Sequence, residues 1–466
     1  MFGGWFCCSN FDETNPPTNS NLSLKPRWKA GVISLRGHLV RTYHTDIEKD
    51  YYIDREHELG KGGCGVVVVG EHKDTHAQYA IKIVNKATAE RGRLDRELKL
   101  MKDVDHTNIV RLFSVYDIPG NMYFVMELCL GGHLGNLLAR QPNRHVDEAW
   151  AKKLCRQILS AVAHIHQRGI AHRDIKLQNI LVDSTNDRTA QVKLIDFGYG
   201  SRFVGALPMR TKCGTPYTTA PEVIRECYDE RCDIWSCGVV LYIMLCGRRP
   251  FEALDIAGPL SDAGKAAMIT NILAGRYHFN HKPFQTVSKA AIQFVKTLLH
   301  QDYRTRVRAY ETLENPWLQD TLTMQSSQST LTSAKSFRAI SNIRKSMQVT
   351  DMQRTGMVAL VFGINARSAH DLRSIFQSFD RDGSGTISKD EFHGALKIVC
   401  PELESEDIFR LFDIVDIDKN QTISFTEFLA ATLDPREVDI EELNKAFKLL
   451  DEDGNGYITK DELTKV

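Results

Sequence analysis

Three twelve-residue segments repeat one spacing: DRDGSGTISKDE at 380–391, DIDKNQTISFTE at 416–427 and DEDGNGYITKDE at 451–462. Each offers side-chain oxygen at positions 1, 3, 5 and 9, a backbone carbonyl at 7 and a glutamate at 12. Hard divalent cations gather about six to eight oxygen ligands, and this spacing wraps them around one Ca²⁺. The first loop offers Asp380, Asp382, Ser384, the Thr386 carbonyl, Ser388 and Glu391. The second offers Asp416, Asp418, Asn420, the Thr422 carbonyl, Ser424 and Glu427. The third offers Asp451, Asp453, Asn455, the Tyr457 carbonyl, Thr459 and Glu462. An acid-rich surface loop would explain any one match. Three matches, with Ile387, Ile423 and Ile458 all at position 8 and a Phe- and Leu-bearing helix before each, leave that explanation little room. Residues 371–466 are thereby committed to helix–loop–helix units.

Loops of this kind are EF-hands, which work in pairs joined by short strands at position 8. Position 6 needs a turn with φ > 0, which Gly385 and Gly456 provide. Gln421 stands there in the second loop, at a cost on the order of 1 kcal/mol, so that site should bind more weakly. Hands one and two can pair. The third reaches Val466 without a fourth, so the expectation is a truncated sequence or some other partner for the third hand.

The rest of the chain is built differently. Its 466 residues suggest two to four domains, and 42% hydrophobic content is ample for packed cores. A formal net charge of +0 argues against nucleic-acid binding by bulk electrostatics. The 11 cysteines show neither C-x-x-C pairs nor zinc spacing and read as reduced thiols of a cytoplasmic protein, expected to be monomeric. No apolar run approaches the roughly 18 residues of a membrane span, and no secretory signal is expected. Phe2 rather than glycine follows Met1, so the myristoylation signal is absent. Cys7 and Cys8 offer a palmitoylation site for peripheral membrane association, although one weak signal seldom anchors stably.

Residues 1–45 read as a disordered tail, because residues 9–28 are rich in Asn, Ser, Thr and Pro. Short β-branched runs then predict strands at GVVVVGEH, QYAIKIV and MYFVMEL, interrupted by a helix whose Leu94, Leu98 and Met101 share one face. After Gly132 the pattern becomes helical: AWAKKLCRQILSAVAHIHQRG stops at Gly169, and DIWSCGVVLYIMLCG is apolar all round, as a buried helix is. Residues 319–365 read as a linker and junction. Within it FRAISNIRKSM sets Phe337, Ile340, Ile343 and Met347 on one stripe beside Arg338, Arg344 and Lys345. That pattern suits an acidic, methionine-lined groove.

Gly60, Gly62 and Gly65 precede a run of valines, so the glycines join two strands rather than open a helix. Such a loop can lie over a triphosphate. Lys82 stands in an apolar strand, where an unpaired charge is costly, and Glu97 on the next helix can neutralise it. HRDIKLQN brings Asp174, Lys176 and Asn179 into one tight loop, and KLIDFG ends a strand at Asp196. Asn179 and Asp196 suit Mg²⁺ carrying phosphates, an acid beside them can orient a hydroxyl, and a lysine can meet developing charge.

With these motifs in order, residues 51–318 resemble a eukaryotic-type protein kinase domain, including APE at Ala220–Glu222, DIWSCG at Asp233–Gly238, and Arg306 as the partner of Glu222. From Tyr51 to its end the chain is similar to the calcium-dependent protein kinases of plants and alveolates. The resemblance implies an α+β, bilobal fold with a small β-rich N-lobe and a larger helical C-lobe, followed by an all-α EF-hand domain. It implies Asp174 as catalytic base, Lys176 at the γ-phosphate, Asn179 and Asp196 as Mg²⁺ ligands, and Lys82, held by Glu97, at the α- and β-phosphates. ATP would lie against Leu59, Gly60, Lys61, Gly62, Gly63, Cys64, Gly65, Val66, Val67 and Ala80. Met126 would be the gatekeeper, with the backbone of Glu127 and Cys129 meeting the adenine. Thr215 in CGTPY implies protein Ser/Thr acceptors.

Three departures from that family matter. Cys64 replaces the usual aromatic at the loop tip. His133 and Gln178 replace two acids that hold an arginine upstream of the target residue in basophilic relatives, which puts that preference in doubt. Thr211 stands where calcium-regulated relatives often carry an acid, and its phosphorylation would supply the charge near Arg173. The expected activity is calcium-activated Ser/Thr phosphorylation, blocked by the junction helix at rest and released when the hands take that helix up. Two alternatives are a calmodulin-regulated kinase with auxiliary hands and a non-catalytic calcium-gated adaptor.

Overall fold

The computed structural model describes residues 39–62, 65–90, 92–185, 190–205, 207–252, 262–319, 330–331, 333–345, 350–363, 370–434, 440–451 and 455–459. The first lobe is a six-stranded sheet made of β1 (Arg41–Tyr43), β2 (Tyr51–Gly62), β3 (Gly65–His72), β4 (Gln78–Asn85), β5 (Leu112–Ile118) and β6 (Asn121–Met126). The strand order is β1-β5-β6-β4-β3-β2, and every pairing is antiparallel except β1 on β5. Alternation sends Val68 and Ile81 to one face, where they pack with Tyr51, Tyr79 and Tyr116.

Strand β1 corrects the expected extent of the tail. Disorder was expected through residue 45, yet Leu39 and Val40 are buried and Arg41–Tyr43 pair in register with Ser114–Tyr116. Tyr43 stacks on Tyr116 at 5.0 Å between ring centres. The low hydrophobicity of residues 9–28 does not extend to HLVRTYH. A few apolar side chains there suffice to dock an edge strand whose partner is already built.

Helix α1 (Arg93–Lys102) presents buried Glu97, Leu100 and Met101. The second lobe is organised around α2 (Leu134–Arg140), α3 (Glu148–Gln167), α4 (Cys232–Cys246) and α5 (Lys289–Leu298). Asp147 caps α3 by accepting from the Trp150 N–H, and Gly169 follows its end at φ 69°. All residues of α4 are buried, as its apolar run implied, and it packs against α3 and α5. Arg306 forms a bidentate pair with Glu222 at 2.5 and 3.0 Å, wholly inside the lobe.

Among the described residues the junction includes the helices α6 (Ala334–Lys345) and α7 (Asp351–Gly363). The sequence pattern singled out only the first. In α7 the apolar residues Val358, Ala359, Leu360 and Val361 are consecutive and all buried, so no single stripe marks it. Met347 lies outside the described residues. The C-terminal domain comprises α8 (His370–Phe379), α9 (Lys389–Val399), α10 (Ser405–Val415), α11 (Phe425–Thr432) and α12 (Ile440–Leu450). Among the described residues no helix is long and apolar enough to cross a membrane. Cys7 and Cys8 lie outside them.

Candidate active site and calcium loops

The glycine loop closes as a hairpin in which Gly62 faces Gly65. Gly65 adopts φ 134°, and a Cβ there would fall 2.1 Å from the Ile83 carbonyl oxygen, so only glycine fits. Leu59, Gly60 and Lys61 lie on β2 and Val66 and Val67 on β3, while Gly63 and Cys64 fall outside the described residues. Ala80 pairs with Met126 across β4 and β6, and Glu127 and Cys129 follow β6 directly. Burial, and then the charge of Glu127, push the Cys129 thiol up to about 12.

Strand β4 presents Lys82 to two acids. Its Nζ lies 2.5 Å from Glu97 Oε1 and 3.7 Å from Asp196 Oδ1. Burial alone would raise the Asp196 carboxyl, but the Lys82 charge and then His172 hold it below the usual carboxylate value. Asp196 sits at φ 66° and accepts from the Gly198 N–H, a backbone posture that aims its carboxylate.

The loop after α3 is knit around Asp174, which is 2% exposed. Lys176 Nζ and Asn179 Nδ2 donate to its Oδ2 at 2.7 and 2.9 Å, and Thr215 Oγ1 donates to Oδ1 at 2.7 Å. Lys176 also reaches Thr215 Oγ1 at 2.9 Å. The Asn179 amide nitrogen is thus turned to Asp174, leaving its oxygen as the atom suited to a cation. Beneath the loop, buried Asp233 accepts from the His172 and Arg173 N–H groups and meets His166 Nε2, each at 2.8 Å. That supporting role was readable as an acid in an otherwise apolar helix, since a buried carboxylate must be satisfied.

Among the described residues the departures have visible partners. His133 caps α2, accepting from the Asn136 N–H. Gln178 accepts from the Tyr217 hydroxyl at 2.9 Å, and the Arg249 guanidinium lies 4.4 Å from the Tyr217 ring centre. Arg173 donates to the Tyr199 carbonyl and the Tyr228 hydroxyl, and Tyr228 donates to the Thr211 carbonyl at 2.6 Å.

The first two loops gather their carboxylates. Oxygens of Asp380, Asp382 and Glu391 lie within 4.8 Å of one another, as do those of Asp416, Asp418 and Glu427. Ser388 and Ser424 double as helix caps, each reciprocated by the glutamate at position 12. Ile387 pairs antiparallel with Ile423, joining the two hands. Gly385 and Gly456 take φ 79° and 84°, and Gln421 is held at 70°. Burial and then the neighbouring Asp418 push Glu427 up to about 8, and burial raises Asp416 to about 6. Crowded like charges with oxygen-only donors fit a hard divalent cation. In the third loop Asp451 accepts from the Asn455 and Gly456 N–H groups, while Asp453 and Glu462 lie outside the described residues. The third hand meets the junction: Leu450 and Ile458 pack on Ala359 and Leu360 of α7.

Glu127 carries a role that the sequence did not disclose. Its buried carboxylate meets Lys193 Nζ at 2.8 Å and Arg373 of α8 at 3.6 Å.

Comparison with known proteins bears on all of this. A protein kinase domain model matches residues 53–318, an EF-hand domain pair model matches 370–433, and an EF hand domain model matches 442–466. Calcium-dependent protein kinase 5 of Plasmodium berghei is 32% identical over 451 residues, covering 96% of this chain and 77% of the relative. Calcium-dependent protein kinase 4 of Plasmodium falciparum is 31% identical over 430 residues, covering 88% and 78%. Calcium-dependent protein kinase 19 of rice is 31% identical over 428 residues, covering 90% and 76%. With the fold, the gathered catalytic loop and the paired carboxylate cages already in place, the chain belongs to the calcium-dependent protein kinases.

Proposed function

We propose that the chain transfers the γ-phosphate of ATP to serine or threonine of protein substrates when Ca²⁺ fills its own hands, and that α6 restrains the kinase until then. The observation that carries the reading is one polypeptide holding both the Asp174–Lys176–Asn179–Thr215 cluster and two carboxylate cages.

Asp174, fixed by three donors, orients the acceptor hydroxyl and takes its proton. Lys176 meets the charge that builds on the transferred phosphoryl group. Lys82, steadied by Glu97, grips the α- and β-phosphates, and the glycine hairpin covers them. Asn179 and Asp196 would hold Mg²⁺, which would neutralise phosphate charge. In the hands, Ca²⁺ supplies the positive charge that the crowded carboxylates demand.

Release of α6 is supported by where its apolar stripe lies. Ile340 and Ile343 are buried, and α6 packs on α8, α10 and α11 of the sensor. Asn342 donates to the Thr432 carbonyl at 3.0 Å. Phe337, expected on the same stripe, is 49% exposed and available to another surface. Between α7 and the third hand an apolar cavity of about 720 Å³, lined by Met357, Leu360, Leu433 and Phe447, adds room for repacking.

The test is peptide phosphorylation by the full chain. Asp174→Asn should lower turnover by about 10²–10⁴-fold, the range for a general base, while calcium binding persists. Undiminished turnover would reject the kinase assignment.

A further inference from the structure

The back of the strand-to-helix hinge carries a charge cluster shared by both domains. Glu127 donates its own N–H to the Arg111 carbonyl at 2.9 Å, and its carboxylate accepts from the Arg111 N–H at 3.3 Å. Lys193 pairs with that carboxylate from within the kinase. Arg373 arrives from the sensor: one guanidinium nitrogen lies 3.6 Å from Glu127 Oε1, the other 3.4 Å from Asp183 Oδ2. One turn on, Gln377 donates to Gln191 at 3.4 Å. Arg373 is only 6% exposed, so this is an enclosed contact rather than a surface encounter.

Burial would raise the Glu127 carboxyl, but Lys193 and then Arg373 hold it down to about 2. The buried Arg111 side chain adds a third positive charge acting on Glu127. On its other side the Arg373 guanidinium lies 5.8 Å from the ring centre of Phe425, which belongs to the second calcium loop.

Arg373 also sits where calcium occupancy is felt. Helix α8 runs straight into Asp380, the first ligand of loop one, two turns beyond Arg373. Loop one itself rests on the kinase: Arg156 donates to the Arg381 carbonyl at 2.7 Å, and a Cβ on Gly385 would fall 1.7 Å from His106 Nε2. One helix thus joins the first calcium loop to the contact behind the hinge.

We propose that Arg373 is a positioning residue through which the calcium sensor sets the affinity of the kinase for nucleotide, by fixing Glu127 from behind while the Glu127 backbone faces the adenine. This rests on the nucleotide-site reading given above. Coupling of this kind is reciprocal, so nucleotide must tighten calcium binding by the same factor.

The experiment is calorimetric titration of the full chain with a non-hydrolysable ATP analogue and Mg²⁺, in calcium and in chelator. The wild-type chain should bind the analogue at least about fivefold more tightly in calcium, the lower end of ordinary coupling. Arg373→Met should abolish that difference while leaving affinity in chelator within about twofold, and Arg373→Lys should retain part of it. Arg373→Met that keeps the full calcium effect, or weakens binding equally in both conditions, overturns the proposal. Should Arg373→Met lack a cooperative thermal transition, Asp183→Asn decides: reduced coupling supports the proposal and full coupling overturns it. A wild-type chain that binds no analogue in either condition contradicts the kinase reading itself, and the proposal with it.

Discussion

Gln421 shows how one side chain tunes a site. It is held at φ 70°, where Gly385 and Gly456 sit without strain in the sister loops. Gln421→Gly should relieve on the order of 1 kcal/mol and tighten calcium at the second hand about fivefold, read by calcium titration calorimetry. Unchanged affinity would mean that the strain is absorbed elsewhere. Arg173 makes a second case. The sequence suggested that phosphorylated Thr211 would supply its partner, yet Arg173 already meets the Tyr199 carbonyl and the Tyr228 hydroxyl. Thr211→Ala should therefore keep calcium-stimulated turnover within about twofold, whereas a loss of tenfold or more would show that a phosphate is needed there. The catalytic loop and the cages were legible because their chemistry is local: HRDIKLQN and the first two twelve-residue loops bring their own ligands together. Glu127, Lys193 and Arg373 were not, since they are separated by up to 246 positions and meet only through tertiary packing.

Whole elements were legible where one period dominates. The helix stopping at Gly169 and the wholly buried α4 follow from spacing and apolarity. Helix α7 escaped because its buried residues Val358, Ala359, Leu360 and Val361 run consecutively, so no single apolar stripe marks it. Strand β1 escaped because three residues hold no periodicity, and its ladder depends on β5 some seventy positions away. At this scale the decisive element is α6. Ile343 is wholly buried against the sensor, and an unpaired carboxylate there costs several kcal/mol. Ile343→Asp should expel the helix from the hands and lower the calcium-stimulated rate by at least about tenfold, with the rate in chelator unchanged. Full activation in that variant would show that capture of α6 is not what releases the kinase.

Across the whole molecule, the sensor does more than follow the kinase in sequence. The first hand leans on α3, on His106 and on the back of the hinge, and the third hand packs on α7. The junction helices α6 and α7 pack on the hands, so under the proposed function metal binding acts on packed helices rather than on a tether. The most direct measurement is the initial rate of Ser/Thr peptide phosphorylation by the purified 466-residue chain, with no calmodulin present, in calcium and in chelator. The wild-type rate should rise at least about tenfold with calcium, and Glu391→Gln combined with Glu427→Gln should remove most of that rise, because each substitution takes the twelfth ligand from its cage. Equal rates with and without calcium in the wild-type chain, or an undiminished response in the double variant, would contradict the account.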